Sequence, residues 1–382
     1  MKKKIAVVVA SRANYGRVKF LLKAIKEHPD LELQLIAGAA TLLYRFGNVV
    51  DIIKKDGFEP LKNLYYVVEG DNLITQAKTT GLGILELSSA LSELKTDMVI
   101  TIADRFETMA TAIAATYQNI PLVHLQGGEV SGNIDDRVRH AITKLADVHF
   151  VATEKSKERV IKMGENPDYV FNFGCPAMDT LVNEDLSINN KFMEKYGGTG
   201  IAIDWKKPFI LMSQHPVTTS FGEGFKQITE TLEALKKIKN IQKIIIWPNI
   251  DAGTDDVSKG IRVFRENNKE DNFHYYRAFS PEDYARLLNN CICAVGNSSS
   301  FIREGAFLGL PTVLVGDRQI NREHAENIIF SDYNRDEIYN KISQQIKHGK
   351  YNSSKIFGYG NAGKKIADKL AEIKFIQKKL NY

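Results

Sequence analysis

The residues best suited to acid–base chemistry in this 382-residue chain lie between Val123 and Phe150, in the stretch VHLQGGEVSGNIDDRVRHAITKLADVHF. This stretch contains three His, a Gly pair, one Glu, a neighbouring Asp pair and two Arg. An apolar strand that leads into Gly127–Gly128 and then into a polar helix start places such side chains at the carboxyl edge of a sheet, where open α/β folds bind ligands. We therefore expect Glu129 and Asp135 to belong to a ligand site.

The same stretch also has a purely structural interpretation. His140 and His149 lie in helix and strand patterns, where hydrogen-bonded structural histidines are more common than catalysts, and the same caution applies to His124 in the strand. The Gly pair could serve only a tight turn, and the Asp pair could serve only a favourable helix start. The catalytic and structural interpretations are compatible, so both are retained.

Two further candidates follow other predicted strands. Asp104 and Arg105 come directly after the apolar run MVITIA, which places a carboxylate and a guanidinium at the carboxyl end of a strand. A buried Asp there suits an acid–base or orienting role, although it could instead cap the following helix. His215 follows the run FILMSQ and precedes Pro216, so it is expected in an extended loop, either poised for proton transfer or facing solvent.

The stretch GNSSSFIREGAFLGLPTVLVGDRQINRE in the second half predicts an anion site. A strand that ends in a Ser-rich turn and then begins a helix directs backbone N–H groups and the hydroxyls of Ser298 and Ser299 at one point. Glu304, about one helical turn further on, would repel phosphate but can accept hydrogen bonds from two ribose hydroxyls. Arg318 and Arg322 follow the next strand and can neutralise a diphosphate. The alternative is an ordinary Ser N-cap with surface charges.

The first predicted turn, SRANYG, places Arg12 over another helix N-terminus. It contains neither GxGxxG nor GxxxxGK[ST], so a dinucleotide fingerprint and a P-loop are not supported. A nucleotide-sugar site fits the set of candidates better.

Alternation of short apolar strands with helical segments predicts an α/β fold built from two Rossmann-like, doubly wound parallel sheets. The Gly-Cys-Pro interruption in GCPAMDTL marks the joint, so that residues 1–173 form a first domain and a second domain begins at residue 174. We expect the two similar domains to face one cleft. The strand candidates are Leu31–Leu35, Met98–Ile102, Leu122–Leu125 and Val148–Val151 in the first half, and FILMSQ, KIIIWP, HYYRAF, CAVGNSS and PTVLVG in the second.

Composition excludes several classes of function. The chain has 51 Lys+Arg and 46 Asp+Glu, and the resulting net charge of +5 is too small and too dispersed for a nucleic-acid-binding protein. No apolar run has the length of a membrane span. The three cysteines form neither a disulfide framework nor a zinc-type cluster, and the N-terminus lacks a secretory signal, so free thiols and a cytoplasmic location are expected.

Seven motifs together resemble the hydrolysing UDP-N-acetylglucosamine 2-epimerase family over nearly the whole chain. They are SRANYG, ADRFE, HLQGGEVSGNIDDRVRHAITKL, GCPAMD, HPVTT, NSSSFIREG and GDRQINRE. The resemblance implies a glycosyltransferase-B architecture in which a C-terminal helix crosses back to the first domain. On this basis residues 362–382 join residues 1–173, and residues 174–361 form a UDP-binding domain.

The resemblance also implies a reaction and roles for the residues. UDP would leave UDP-GlcNAc by elimination with the C2 proton, and water would add to the resulting 2-acetamidoglucal to release ManNAc. Asp104, Asp135 and His215 match the family's catalytic positions. The positions expected to hold UDP are Arg12, His215, Ser298, Ser299, Glu304 and Arg318, and we add Arg105 and Arg322 as cations for the substrate.

Two positions depart from the family pattern. The residue before Gly-Gly is Gln126, where the family usually has a catalytic Glu, and an amide cannot exchange a proton as a carboxylate does. Ala103 replaces the usual Gly before Asp-Arg. Gln126 is compatible with a subgroup in which Glu129 or Asp135 supplies the proton chemistry, with an inactivated variant, or with another sugar; we favour the first.

The leading hypothesis is therefore hydrolysing 2-epimerisation of UDP-GlcNAc. The alternatives are the same chemistry on a UDP- or GDP-linked 2,4-diacetamido-2,4,6-trideoxyhexose, a non-hydrolysing epimerase, a glycosyltransferase on the same fold, and an inactive UDP-sugar-binding protein. We expect a UDP-sugar ligand, no metal or other cofactor, no nucleic-acid or membrane partner, and a homodimer or homotetramer.

Overall fold

The computed structural model describes residues 2–132, 134–268, 272–374 and 378. Its contacts group the chain into two compact units. The first comprises Met1–Val130, Ile134–Val182 and Phe357–Tyr382, and the second comprises Ser131–Asn133 and Asn183–Ile356.

The strands divide evenly between the units. In the described part of the first unit they are β1 (Lys3–Val9), β2 (Leu31–Gly38), β3 (Lys62–Leu64), β4 (Met98–Ile102), β5 (Leu122–Leu125), β6 (Val148–Val151) and β7 (Val170–Asn172). In the described part of the second unit they are β8 (Thr199–Gly200), β9 (Phe209–Ser213), β10 (Gln242–Ile246), β11 (Phe273–Tyr276), β12 (Cys293–Gly296), β13 (Thr312–Val315) and β14 (Ile328–Ser331).

Helices alternate with these strands along the chain. Those in the described residues are α1 (Arg12–Glu27), α2 (Val49–Lys55), α3 (Leu73–Leu94), α4 (Phe106–Tyr117), α5 (Ile134–Leu145), α6 (Glu154–Lys162), α7 (Ala177–Asn183), α8 (Asn190–Lys195), α9 (Gly224–Lys237), α10 (Thr254–Asn267), α11 (Pro281–Asn290), α12 (Ser300–Leu308), α13 (Arg335–His348) and α14 (Ala362–Glu372).

Each unit is built on one sheet with the same winding. The order β3-β2-β1-β4-β5-β6-β7 in the first sheet is parallel throughout. The order β14-β13-β12-β9-β10-β11-β8 in the second is parallel except for the β11–β8 pair. In the first sheet the strand order reverses between β1 and β4, and in the second sheet it reverses between β9 and β12. Open α/β sheets bind ligands at such switch points. The predicted pair of doubly wound sheets is confirmed.

The buried strand β1 shows why these sequences form central strands. Its residues alternate between two apolar cores, with Ile5, Val7 and Val9 in one and Ala6 and Val8 in the other. A strand that is buried on both faces requires the continuous, β-branched apolar run seen in KKIAVVV.

The segment 11–16 differs from its predicted conformation. We expected a polar turn from Ser11 to Gly16, but helix α1 begins at Arg12. Ser11 is the N-cap, and its side chain accepts a hydrogen bond from the backbone N–H of Asn14. The polar run is therefore a helix cap and first turn, because Ser satisfies a backbone donor that the helix leaves open.

The boundary between the units also differs from the sequence-based division at residues 173 and 362. Residues 174–182 and 357–361 belong to the first unit, because the backbones of Gly174 and Gly358 pack together and Cys175 N donates to Phe357 O at 2.7 Å. Asp179 continues this contact by accepting hydrogen bonds from the first turn of α14, which in turn packs on α1. The amphipathic pattern predicted up to Leu380 is helical through Glu372, and residues 375–377 and 379–382 lie outside the described part of the chain.

Among the described residues, helices that combine the length and apolar character needed to cross a membrane do not occur.

Candidate active site

Two left-handed residues form the turns at the carboxyl ends of β4 and β5. Ala103 has φ +65° and Gln126 has φ +63°, a conformation uncommon for residues with a Cβ. Their backbone N–H groups extend the sheet: Ala103 N donates to Leu125 O at 2.9 Å and Gln126 N donates to Phe150 O at 2.8 Å. These turns direct the following residues, Asp104 among them, away from the strands.

Asp104 forms a buried ion pair with Arg139 of α5. Asp104 is 8% exposed and Arg139 is fully buried. Nε of Arg139 donates to Oδ2 of Asp104 at 2.9 Å, and Nη2 donates to the same oxygen. Asp104 does not occupy the N-cap of α4, which is Arg105. The orienting interpretation of Asp104 therefore agrees with the geometry better than the capping interpretation.

Arg139 also contacts two other acidic residues of the segment, Glu129 and Asp136. Its Nη1 donates to the backbone oxygen of Glu129 at 2.6 Å and to Oδ1 of Asp136 at 2.7 Å. Burial alone would lower the pKa of Arg139, but the neighbouring Asp104 and Glu129 carboxylates raise it above its ordinary value. The buried Arg139 cation therefore stabilises the ionised carboxylate of Asp104 and holds it in place at the end of the sheet. Arg139 was not among the predicted site residues, although its spacing of three from Asp136 on a helix is a signal for such a pair.

Asp135 and Arg12 lie at helix N-termini. Asp135 is half-buried in the first turn of α5, as predicted, and Arg12 is the first residue of α1, directly after β1. Both follow strands or turns at the carboxyl edge of the first sheet.

Arg105 is engaged by a neighbour that the sequence reasoning overlooked. Its Nε donates to Oε2 of Glu107 at 3.1 Å and its Nη2 donates to Oε1 at 3.2 Å. Glu107 is fully buried, so this two-point pair fixes the Arg105 side chain against the start of α4. Arg105 and Glu107 are two positions apart, whereas residues that face each other on a helix are three or four apart, so the sequence did not indicate this pair.

His124 is a neutral structural residue beneath this edge. Its Nε2 lies 2.8 Å from Ala103 O, and its Nδ1 lies 3.2 Å from the Thr143 hydroxyl. Because a carbonyl can only accept, Nε2 carries the proton. Burial lowers the pKa of His124 to about 3 and that of His149 below its ordinary value. A Cβ on Gly127 would lie 2.9 Å from the His124 ring, which explains the glycine there.

Gln126 is buried with its amide against a cysteine. Its Nε2 donates to the Cys175 sulfur at 2.8 Å, and its Oε1 lacks a hydrogen-bond partner among the described residues. The second glycine of the pair, Gly128, has φ +76°, and a Cβ there would lie 2.4 Å from Ser156 O. The turn after β5 is thus fixed by close packing as well as by hydrogen bonds.

In the second unit, the loop after β9 holds His215. Only 5% of His215 is exposed, so its solvent-facing interpretation is wrong. The backbone N–H of Asn249, after β10, donates to His215 Nδ1 at 3.2 Å. An imidazole whose Nδ1 accepts carries its proton on Nε2. The contact with Asn249 therefore fixes which ring nitrogen carries the proton.

The Ser-rich turn after β12 begins helix α12, as predicted. Ser299 is the N-cap residue, without a side-chain cap hydrogen bond, and Ser298 Oγ lies 2.8 Å from Ser300 Oγ. Glu304 lies in the second turn of the nine-residue helix. This arrangement leaves backbone N–H groups of a helix N-terminus beside several hydroxyls, the geometry that suits an anion.

Arg318 and Arg322 converge on the same turn through Asn297. Nη1 of Arg318 donates to Asn297 O at 3.2 Å, and Nε2 of Gln319 donates to that oxygen at 3.3 Å. Arg322 reaches it indirectly, because its Nε donates to Gln319 Oε1 at 2.7 Å. The structure thus brings His215, Ser298, Arg318 and Arg322 together around Asn297, which sequence reasoning did not select although it stands in the NSSS motif.

The buried His124 predicts how stability depends on pH. In the unfolded chain His124 titrates near the ordinary histidine pKa of 6.5, whereas in the folded chain burial lowers its pKa to about 3. Between these values the unfolded state binds the proton, so the free energy of unfolding falls as pH falls from 6.5 towards 3, by at most about 1.4 kcal/mol per pH unit for one group. We expect His124→Gln to show a shallower dependence in urea titrations from pH 7 to pH 4. The exposed His348→Gln is the matched control, and an unchanged slope in His124→Gln would contradict the assignment.

Comparison with known proteins agrees with this fold. The chain superimposes on the crystal structure of UDP-GlcNAc 2-epimerase from Neisseria meningitidis bound to UDP-GlcNAc with a TM-score of 0.79, covering 97% of this chain and 100% of that one at 20% identity. The two-domain α/β fold of the glycosyltransferase-B type is therefore confirmed. The family model described as UDP-N-acetylglucosamine 2-epimerase matches residues 23–371, and the chain belongs to that family.

Two relatives are similar over nearly their whole length. A UDP-N,N'-diacetylbacillosamine 2-epimerase (hydrolyzing) from Legionella pneumophila is 32% identical over 381 residues, which is 100% of this chain and 99% of the relative. A UDP-N-acetylglucosamine 2-epimerase from Neisseria meningitidis is 30% identical over 359 residues, 94% of this chain and 92% of the relative.

Cys175, Cys291 and Cys293 are buried thiols that are not joined in disulfide bonds, as the sequence predicted. Burial raises the pKa of the Cys291 thiol to about 12. Groups of three or more His, Cys, Asp or Glu side chains arranged to hold a metal do not occur in the part of the chain that the structure describes.

Proposed function

We propose that this protein is a hydrolysing 2-epimerase of a UDP-linked 2-acetamido sugar. In the first step a base removes the C2 proton while the bond between C1 and the diphosphate oxygen breaks, giving a C1–C2 double bond and UDP. In the second step water supplies a hydroxyl to C1 and a proton returns to C2 from the opposite face. The products are free UDP and the 2-epimeric sugar.

The observation that carries this proposal is the buried Asp104–Arg139 pair in a chain of the 2-epimerase family. A C2–H bond is only weakly acidic, so its removal requires a carboxylate or imidazole held in a fixed position. Asp104, Glu129 and Asp135 supply carboxylates in the first unit, and His215 supplies a proton-bearing nitrogen in the second. Gln126 cannot exchange a proton, and we assign it a packing role against Cys175.

The second unit supplies the groups that a nucleoside diphosphate needs. We propose that Ser298 and Ser299 bind phosphate oxygens at the start of α12, with Arg318 and Arg322 as counter-ions, and that Glu304 accepts from the ribose hydroxyls. These charges would stabilise the diphosphate as it leaves, where negative charge develops. In the first unit we assign Arg12 and Arg105 to the substrate as well.

The hydrolysing reaction and the sugar are proposed from the relatives. The relative aligned over all of this chain is named as hydrolyzing and acts on UDP-N,N'-diacetylbacillosamine, so we place that sugar first and UDP-GlcNAc second. The two differ at C4, which carries an acetamido group or a hydroxyl, and at C6, which is deoxy or hydroxylated. A site built to bind one set rejects the other strongly, because its polar groups are left unpaired.

We expect incubation with UDP-N,N'-diacetylbacillosamine in D₂O to give free UDP and a free sugar carrying deuterium at C2, and incubation with UDP-GlcNAc to give much less of both products. Phosphorus and proton NMR measure both products, and His215→Ala is the inactive control. Intact UDP-sugar epimerised at C2 would contradict hydrolysis, and binding of UDP without turnover of either sugar would contradict an enzyme of this class.

The predicted cytoplasmic location and homo-oligomer remain predictions. Helix α3 offers one surface for a second copy, because its apolar side chains Ile74, Leu82 and Leu85 are exposed. Light scattering of the intact chain measures the oligomeric state.

A further inference from the structure

We infer that Asn297 is a positioning residue that fixes His215 for the reaction, an inference that rests on the function proposed above. Asn297 is assigned no direct contact with the substrate. It acts by fixing the backbone of the loop after β9, which carries the imidazole.

The side chain of Asn297 binds both backbone polar groups of His215. The His215 N–H donates to Asn297 Oδ1 at 2.7 Å, and Asn297 Nδ2 donates to the His215 carbonyl at 2.8 Å. A two-point contact of one planar amide with the N–H and C=O of one residue restrains the peptide planes on both sides of it. Asn297 is 1% exposed, so water does not compete for these hydrogen bonds.

The backbone of Asn297 is itself fixed to the centre of the sheet. Its N–H donates to Ser213 O, the last residue of β9, at 3.1 Å. The preceding Gly296 has φ +129°, and a Cβ there would lie 2.2 Å from Ser213 O. Glycine at this position permits the close approach of β12 to β9 that brings the Asn297 amide within reach of His215.

The ring of His215 completes the arrangement. Asn249 N donates to Nδ1 at 3.2 Å, which sets the Nε2–H tautomer. Asn297 restrains the backbone of His215 and Asn249 restrains its ring, so together they fix the position of Nε2. A displacement of about 1 Å in a reacting group can cost about 10²-fold in rate, so this restraint has a catalytic consequence.

Substitution of Asn297 tests its effect on His215 separately from its effect on the groups proposed to bind UDP. Arg318 and Gln319 contact the backbone oxygen of Asn297, which every substitution retains. The two bonds to His215 depend on the side-chain amide alone. Asn297→Ala should therefore release His215 and leave the cations proposed for UDP in place.

The test compares Asn297→Ala with the wild type in kcat, in the calorimetric Kd for UDP, and in the nitrogen-15 shifts of the His215 ring, assigned by their loss in His215→Gln. We expect kcat to fall by about 10- to 100-fold, Kd to stay within a factor of about two, and the ring shifts to move towards averaged tautomers. The control is Asn327→Ala, another buried Asn of this unit, whose Nδ2 donates to Leu310 O at 2.8 Å.

Asn297→Asp provides a second variant if Asn297→Ala does not fold. The introduced carboxyl group can accept from the His215 N–H but can donate to its carbonyl only when protonated. Its activity relative to wild type should rise as pH falls, which loss of packing alone would not produce.

The inference is overturned if Asn297→Ala keeps wild-type kcat, or if its kcat, its affinity for UDP and its melting temperature fall together as in Asn327→Ala. Failure of the proposed function gives a different result, since the wild type would then turn over neither sugar while the His215 ring shifts still respond to Asn297→Ala. The ring shifts are measured without substrate, so the positioning role is judged in either case.

Discussion

Arg139→Met is expected to lower the free energy of unfolding by about 3–5 kcal/mol, because it leaves buried carboxylate charge at Asp104 without its partner. Arg139 is fully buried and contacts Asp104, Asp136 and the backbone oxygen of Glu129. Methionine fills much of the volume of the arginine stem, so the loss reports charge and hydrogen bonding more than a cavity. Urea denaturation at pH 7 measures the effect.

A surface pair gives the matched control for this variant. Arg335 pairs with Glu230, but 43% of the Arg335 side chain is exposed, so Arg335→Met should cost no more than about 1 kcal/mol. Adding Asp104→Asn to Arg139→Met should recover part of the lost stability, since the stranded charge is then removed. Equal losses of stability in Arg139→Met and Arg335→Met would contradict a buried ion pair at Asp104.

The strong elements of the fold follow from the sequence because their signals are local. Met98–Ile102 and Val148–Val151 were predicted with the bounds that the structure gives, since continuous apolar runs bounded by polar turns indicate buried parallel strands. The start of α12 at the Ser-rich turn was likewise predicted from N-terminal helix preferences. Three-residue strands such as Val170–Asn172 carry too little pattern to be recognised.

The parts of the candidate site that the sequence did not predict depend on contacts between distant residues. Asp104 and Arg139 are 35 positions apart, and His215 and Asn297 are 82 apart. No periodicity links such pairs, because the topology of the sheet brings them together. The left-handed turns at Ala103 and Gln126 were also unpredictable, since neither residue type favours positive φ.

Asp104→Asn should lower kcat by about 10²- to 10⁴-fold, the range typical for loss of a positioned acid–base group. The amide keeps the size of the carboxyl group but provides neither a base for the C2 proton nor a full charge for Arg139. Most of the groups proposed to bind UDP belong to the second unit, and Arg12 is not changed, so calorimetric Kd for UDP should stay near the wild-type value. Steady-state release of UDP measures kcat, and deuterium incorporation at C2 in D₂O measures the proton step separately.

Asp179→Asn is the matched control for Asp104→Asn. Asp179 is also a buried Asp of the first unit, but its oxygens accept from the backbone N–H groups of Ala362 and Gly363 at the start of α14. Its substitution should reduce stability and leave kcat within a factor of about two, since it orders a helix terminus and no reacting group. If Asp104→Asn also kept kcat, the base would have to be sought at Glu129 or Asp135, and the Asp104–Arg139 pair would be structural. If UDP release fell while deuterium exchange at C2 persisted, the C2 proton would leave before the bond to the diphosphate breaks, and Asp104 would act on that later step.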